Sequence, residues 1–342
     1  MTKRKIFNAK RCSRCILPFS YSGIQFDQIG ECNICKGWDK RWKDYDFAKK
    51  GVEFKQLFSP RTGQYDCILP YSGGKDSSYV LYFLVKRLGL KPLAINLNNH
   101  FQTEIIRENI TNVVNHLGVD LITFSPNIHV WSELMRRSFE HSMIPCLPCD
   151  VGIYALAYRM ALMTGTERIV FPGGKLASPK NPGRGVIMFK SLEMVSKEKD
   201  QERGTVDLSD FRITQDMVDS VKEIYFGQYF DWKEDLILKT VVTELGWKKK
   251  GEQHSRIDCI FEPIINYLYS VRMGVSKQCT RLSSMIRDGQ ITREEALSKD
   301  DKYKLANIPN EFEQIKKILK VNNRHLERQV INKDLLKPLW YQ

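Results

Sequence analysis

The sequence predicts an α/β fold: a parallel sheet with helices on both faces, an N-terminal zinc ribbon and a helical C-terminal region. Three observations predict it. Strand-like and helix-like segments alternate through the middle of the chain, a glycine-rich loop joins one of these strands to a helix, and two Cys-x-x-Cys pairs stand near the N-terminus. Strand–helix alternation is typical of parallel sheets, whose ligands bind at the carboxyl ends of the strands.

The 342 residues divide into three predicted regions. These are a zinc-ribbon-like module over 1–60, an α/β domain built around the glycine loop over 61–200, and a mainly helical domain over 201–342. Helical periodicity runs through nearly all of the third region, which is why we predict no strand there.

Each element of the middle region has its own signal. Short apolar runs predict strands over 65–71, 92–97, 120–125 and 168–171. Apolar residues at a 3.6-residue period predict a helix between Thr103, a favourable cap, and Gly118, a favourable stop. Further helices are predicted over 77–88, 130–142 and 149–164. Two strands end at glycine pairs, Gly73-Gly74 and Gly173-Gly174.

Composition narrows the class of protein. Lys and Arg number 53 against 40 Asp and Glu, for a net charge of +13, which favours anionic partners such as nucleotides, sugar nucleotides or RNA. No apolar segment is long enough to span a membrane, and no secretory signal stands at the N-terminus. We therefore expect a cytoplasmic protein, whose nine cysteines do not form disulfides.

The glycine loop Ser72-Gly73-Gly74-Lys75-Asp76-Ser77 has the chemistry of a phosphate site. Its glycines allow a sharp turn, and the following helix offers unpaired N–H groups and the positive end of its dipole. The two serine hydroxyls can donate to phosphate oxygens. Lys75 adds a positive charge, and Asp76 can hold Mg²⁺.

This loop resembles the PP-loop of the ATP pyrophosphatases, whose signature is Ser-Gly-Gly-x-Asp-Ser. The resemblance implies that the loop holds the pyrophosphate of ATP and that the substrate is adenylylated, with Lys75 and Asp76 as catalytic residues. It also implies that Gly173 and Gly174 face AMP, although a plain strand-end turn explains that pair nearly as well. By topology, Asn96 at the end of the next strand would lie near the adenine and ribose.

The spacing Cys12-x₂-Cys15-x₁₆-Cys32-x₂-Cys35 predicts a four-thiolate zinc site. Four sulfur ligands fill a tetrahedral shell and leave no position open for a substrate. The predicted role of the zinc ion is therefore structural.

A third pair, Cys146 and Cys149, stands at the head of a predicted helix. With Cys259 as third ligand, or Cys279 as its competitor, three thiolates could hold a [4Fe–4S] cluster with one iron open. This layout resembles that of PP-loop tRNA thiolases. The competing interpretations are a redox or catalytic dithiol and two structural thiols.

The order of these features along the chain resembles the N-acetyl sugar amidotransferase family of bacterial surface-polysaccharide pathways. Those pathways include lipopolysaccharide O-antigen and nonulosonic-acid biosynthesis. The resemblance implies that ATP adenylylates the amide oxygen of an N-acetylated sugar, a sugar nucleotide or a nonulosonate, and that ammonia then replaces it to give an acetamidino group. His254 and Asp258 are the candidate proton acceptors.

The resemblance also implies partners. Ammonia would come from a separate glutaminase with an ammonia-channelling subunit, similar to the imidazole-glycerol-phosphate synthase pair. Two other functions stay open. One is a tRNA thiolase, which the net positive charge suits, although the basic residues are spread along the chain. The other is a non-catalytic nucleotide-binding scaffold.

Overall fold

The computed structural model describes residues 8–59, 63–141, 146–176, 183–197, 206–249 and 259–331. Five short strands form one parallel sheet in the order β3-β2-β1-β4-β5. The strands are β1 Cys67–Pro70, β2 Pro92–Leu97, β3 Leu121–Phe124, β4 Arg168–Phe171 and β5 Lys222–Tyr225. From β1 the chain adds β2 and β3 on one side of the sheet and then β4 and β5 on the other side. The topological switch point therefore lies between β1 and β4.

Burial shows that both faces of the central strands are covered. Every residue of β1 and β2 is buried, and successive side chains of a strand point to opposite faces. The edge strand β3 is half-exposed instead. This arrangement confirms the predicted α/β class.

The helices that cover and follow the sheet begin and end at defined residues. The first nine helices along the described chain are α1 Asn33–Trp42, α2 Phe47–Gln56, α3 Lys75–Tyr82, α4 Glu104–Leu117, α5 Ile128–His141, α6 Leu147–Thr164, α7 Arg184–Lys197, α8 Gln215–Asp219 and α9 Glu234–Leu245. After these come α10 Glu262–Met273, α11 Cys279–Arg287, α12 Arg293–Tyr303, α13 Glu311–Leu319 and α14 Asn323–Ile331. No helix within the described ranges has both the length and the apolarity that a bilayer crossing requires.

Two differences from the prediction concern the sheet and the helix after the glycine loop. The strand β5 lies in the region predicted to be helical, because Lys222-Glu223-Ile224-Tyr225 is a short edge strand with neither an apolar run nor a clear alternation. The helix predicted over 77–88 begins at Lys75 and continues after Tyr82 as a π-helical turn, Phe83–Arg87.

The chain folds into two units that are discontinuous in sequence. One comprises Met1–Asp46, Phe139–Ile144 and Phe261–Gln342, and the other Phe47–Ser138 and Pro145–Ile260. The predicted boundaries at residues 60 and 200 differ from this grouping. The physical reason is that the sheet takes a strand from beyond residue 200, while the N-terminal cysteines share a unit with the C-terminal helices.

Candidate active site

The glycine loops follow the two strands that flank the switch point of the sheet. Ser72–Lys75 follows β1, and Pro172–Lys175 follows the neighbouring parallel strand β4. Both loops contain the sequence Gly-Gly-Lys. Because ligands of open α/β sheets bind outside the carboxyl ends of the strands at this point, the two loops mark the candidate site.

The first loop is held closed by its own serines. The Ser72 Oγ lies 3.2 Å from the Ser77 Oγ and accepts the Gly74 backbone N–H at 3.3 Å. The Ser77 Oγ donates to the Gly74 carbonyl at 3.1 Å. Because α3 begins at Lys75, its first N–H groups have no intrahelical acceptor and are available to an anion at this turn.

Gly73 is required by the space around it. Its φ is +77°, and a Cβ at this position would lie 2.5 Å from Ile110 Cγ1 and 3.1 Å from the Ile106 carbonyl. The Trp247 indole N–H donates to the Gly73 carbonyl at 2.9 Å. The loop is therefore fixed from α4 on one side and from the end of α9 on the other.

Lys75 is held between two carboxylates. Its Nζ donates to Asp76 Oδ1 at 2.6 Å and to Glu234 Oε2 at 2.7 Å. Glu234 is buried at the start of α9, and its second oxygen accepts the Trp232 indole N–H at 3.0 Å. Sequence reasoning missed Glu234, although the acidic pair Glu234-Asp235 at a helix start was a visible signal.

The second loop is as constrained as the first. Gly173 has a φ of +123°, and a Cβ on Gly174 would lie 1.9 to 2.4 Å from ring atoms of Trp232. A Cβ on Gly227 would in turn lie 2.5 Å from the Gly174 Cα. Close packing of Trp232 against the loop therefore requires a glycine at position 174.

We expect Gly174→Ala to lower the free energy of unfolding by about 1–3 kcal/mol, as overpacking of a tight core does. The added methyl group must displace Trp232, which is 1% exposed. Thermal or urea unfolding measures the change. Gly37→Ala is the matched control, since nothing lies within 4 Å of its added Cβ; it sits inside α1, where alanine is favoured. Equal stability of the two variants would contradict the packing described.

The carboxylates around Lys75 suit a hard cation, and the Lys75 ammonium group suits a phosphate. Asp76 and Glu234 offer carboxylate oxygens, the ligands that Mg²⁺ prefers, and a bound nucleotide would offer phosphate oxygens. When bound, Mg²⁺ would neutralise phosphate charge. The chain's own part is to place Asp76 at the first turn of α3, next to the loop amides.

Asn96 is held at the end of β2 by hydrogen bonds of its side chain. The residue is buried, its amide donates to the Tyr71 carbonyl at 2.8 Å, and its oxygen accepts from Gln102 at 3.3 Å. In this arrangement Asn96 ties the end of β2 to the residue that precedes the glycine loop. A contact of Asn96 with adenine or ribose stays a prediction.

The cysteines 146, 149 and 259 come from two places in the chain. Cys259 pairs with Gln102 in an isolated β-bridge, and Ile260 donates its backbone N–H to the Phe101 carbonyl at 3.0 Å. Cys149 lies in the first turn of α6, and its Sγ accepts from the Asn99 amide at 3.6 Å. The loop after β2 thus meets the start of α6 and the segment around Cys259.

Burial raises the pKa of the Cys149 thiol well above its usual value, and the neighbouring Cys146 and Cys259 raise it further. A thiol of this kind is a poor nucleophile unless a cation binds it. Among the described residues, the three sulfurs do not form a group within 4.8 Å of one another, whereas four other cysteines do. An iron–sulfur cluster at this place stays a prediction. His254 and Asp258 lie outside the described residues.

The four N-terminal cysteines fit a zinc ion. Their sulfur atoms all lie within 4.8 Å of one another, and all four residues are buried. The Sγ atoms of Cys12 and Cys35 are 4.0 Å apart, and those of Cys15 and Cys32 are 3.8 Å apart. A tetrahedral site with zinc–sulfur bonds of about 2.3 Å separates its sulfurs by about 3.8 Å.

Thiol chemistry within this group also fits a metal. Hydrogen bonds with Cys32 and Cys35 lower the pKa of Cys15, and the same contacts raise the pKa of Cys32 and Cys35, so Cys15 ionises before these two neighbours. The Cys12 sulfur accepts two backbone N–H groups, from Cys15 at 3.5 Å and Cys32 at 3.3 Å. Such bonds orient metal ligands from outside the coordination shell.

The C-terminal helices hold the cysteine loops in place. Arg293 donates to the Cys12 carbonyl at 3.2 Å and to the Cys15 carbonyl at 3.3 Å. Ser283 accepts the Ile16 backbone N–H at 3.3 Å. Arg11 pairs with the fully buried Asp300 at 2.7 Å. The zinc-type site and the C-terminal helices therefore form one packed unit.

One comparison with known protein families concerns the C-terminal part of the chain. Residues 254–337 match the family model of the LPS biosynthesis protein WbpG-like, C-terminal domain. This match supports the resemblance to the N-acetyl sugar amidotransferase family that the motifs predicted.

Two further proteins are similar over longer stretches. The uncharacterised protein MJ1599 of Methanocaldococcus jannaschii is 23% identical over 305 residues, which cover 88% of this chain and 96% of that protein. A structure of NMN synthetase from Francisella tularensis covers 62% of this chain and 100% of its own, with 13% identity and a TM-score of 0.31.

Proposed function

We propose that this protein is an ATP-dependent amidotransferase of lipopolysaccharide biosynthesis, which converts the acetamido group of an N-acetylated sugar into an acetamidino group. The observation that carries the proposal is the Ser-Gly-Gly-Lys-Asp-Ser loop, which opens α3 at the switch point of the sheet beside a second Gly-Gly-Lys loop. The WbpG-like C-terminal domain supports the pathway.

The reaction proceeds in two displacements. The amide oxygen of the sugar attacks the α-phosphorus of ATP, and the bond to pyrophosphate breaks. The resulting adenylylated imidate has AMP as its leaving group. Ammonia attacks the imidate carbon, the carbon–oxygen bond breaks with its electron pair, and AMP leaves with the former amide oxygen. One proton of the ammonia is released, and the product is an amidine.

The residues of the loop supply position and charge for the first displacement. The N–H groups at the start of α3 and the ammonium group of Lys75 bind the departing pyrophosphate, where negative charge grows as the bond breaks. Asp76 would hold Mg²⁺ on the same phosphates. An amide oxygen needs no general base for its attack.

The second displacement needs ammonia and a proton acceptor. We propose that ammonia comes from a separate glutaminase with a channelling subunit. This proposal rests on the family resemblance. His254 and Asp258 stay the candidates for the proton acceptor. At neutral pH most free ammonia is protonated, so a delivered supply would raise the rate.

The test is ATP cleavage in the presence of acetamido sugars. We expect AMP and pyrophosphate to form over many turnovers only when Mg²⁺, ammonium and a suitable N-acetylated sugar or sugar nucleotide are all present. Chromatography of the nucleotides and mass spectrometry of the sugar measure both products. The proposal would be contradicted by ADP and orthophosphate as products, or by a rate of AMP formation that is the same with and without every acetamido sugar tested.

A second candidate function is sulfur transfer to a tRNA base. The bridge of Cys259 to Gln102 and the hydrogen bond of Asn99 to Cys149 bring these cysteine segments to one loop and support it, since three thiolates can hold an iron–sulfur cluster. Anaerobic purification with iron and sulfide analysis separates the two functions. A protein with zinc but no iron, together with acetamido-dependent AMP formation, favours the amidotransferase.

A further inference from the structure

The second Gly-Gly-Lys loop ends in a buried lysine. The Lys175 side chain is 7% exposed, against 17% for Lys75. Its Nζ lies 2.5 Å from Asp231 Oδ1 and 5.2 Å from the centre of the Phe47 ring. A lysine is seldom this buried unless it is paired or serves a ligand.

One short segment contacts the lysines of both loops. Asp231 pairs with Lys175 and Glu234 pairs with Lys75, and we call these two acids the carboxylate clamp. Between them, Trp232 packs on Gly174 of the second loop and, at 5.8 Å between ring centres, on Tyr79 of α3. The clamp therefore links the two Gly-Gly-Lys loops to each other.

Both lysines of this group are paired with carboxyl groups. Burial raises the pKa of Asp231, but the hydrogen bonds that it accepts from Lys175 and from the Trp232 backbone outweigh this effect and lower it. Lys175 and Lys75 thus face the carboxylate clamp and Asp76 when no nucleotide is bound. Phosphate oxygens that take over the lysine N–H donors would leave carboxylate oxygens for the Mg²⁺ that accompanies the nucleotide.

Position in the sheet assigns the second lysine to a phosphate. The strands β1 and β4 are neighbours and parallel, so their loops leave the same edge of the sheet side by side. If the first loop holds pyrophosphate, the second lies next to the adjoining α-phosphate.

We propose that Lys175 is a second nucleotide-binding residue, which contacts the α-phosphate, and that the carboxylate clamp positions Lys175 and Lys75 for the two ends of the bond that breaks. This inference rests on the proposed function. It goes beyond it in assigning a phosphate to Lys175 and a positioning role to Asp231 and Glu234.

The experiment measures equilibrium binding, so it requires no turnover. Isothermal titration calorimetry compares three ligands with Mg²⁺: α,β-methylene-ATP, AMP and pyrophosphate. We expect Lys175→Met to weaken AMP and α,β-methylene-ATP at least tenfold and to leave pyrophosphate nearly unchanged. Lys175→Arg should recover part of the AMP affinity.

Two further variants separate binding from structure. Lys233→Met also removes one lysine charge beside Asp231, since Lys233 is 48% exposed and 3.4 Å from Asp231, and should bind all three ligands as the unchanged protein does. Asp231→Asn breaks the ion pair but keeps the lysine, so AMP binding should fall less than in Lys175→Met.

Several results would overturn the inference alone. They are unchanged AMP binding in Lys175→Met, a loss confined to pyrophosphate, or equal losses in Lys175→Met and Asp231→Asn, which would make the pair purely structural. An unchanged protein that binds none of the three ligands would overturn the proposed function and this inference with it.

Discussion

Replacing Lys75 by methionine should lower the rate of acetamido-dependent AMP formation about 100- to 1,000-fold, the usual effect of removing one charged donor from a developing anion. The methionine keeps the length of the side chain and removes the ammonium group that lies between Asp76 and Glu234. Initial rates of AMP and pyrophosphate formation measure the change, and calorimetry with α,β-methylene-ATP measures binding separately.

Lys86→Met is the matched control for this variant. Lys86 stands on the π-helical turn that continues the same helix and is exposed, so its loss should leave the rate within about twofold. Asp76→Asn should be as impaired as Lys75→Met and should need more Mg²⁺ for its residual activity. Full activity in both loop variants would show that the chemistry lies elsewhere.

Removal of zinc should unfold the unit that contains the N-terminal cysteines and the C-terminal helices. Structural zinc contributes about 10 kcal/mol or more to small domains that depend on it, which is comparable to the whole stability of many domains. Cys35→Ser should therefore lose zinc and raise amide hydrogen exchange in α11 and α12, whose Ser283 and Arg293 contact the cysteine loops.

Cys279→Ser tests whether this effect belongs to the metal. Cys279 is equally buried in the same unit, and its Sγ donates to the Ile16 carbonyl at 3.2 Å, yet it is not part of the four-cysteine group. We expect it to keep one zinc ion and nearly normal exchange. Metal analysis that finds no zinc in the unaltered protein would remove the basis of this prediction.

Most of the sheet could be predicted because its central strands are buried on both faces and read as apolar runs. Thus the first and last residues of the strands over 92–97 and 168–171 were predicted correctly. The edge strand β5 was missed because it has one neighbouring strand and carries Lys222 and Glu223. Its place in the sheet depends on pairing with β4, which no local pattern encodes.

The site shows the same division between local and distant information. The glycine loop and the four-cysteine spacing are local, and the structure places each group together as predicted. Glu234 and Asp231 pair with Lys75 and Lys175, which lie more than fifty residues away in the chain. No sequence periodicity predicts such a contact. Arg293 reaches the cysteine carbonyls in the same way.

The most direct measurement follows the amide oxygen itself. An N-acetylated sugar labelled with oxygen-18 in its acetamido carbonyl is incubated with the protein, ATP, Mg²⁺ and ammonium, and the nucleotide products are examined by mass spectrometry. Attack of that oxygen on the α-phosphorus predicts one labelled oxygen in AMP and none in pyrophosphate. Unlabelled AMP, or label that remains in the modified sugar, would contradict adenylylation of the amide.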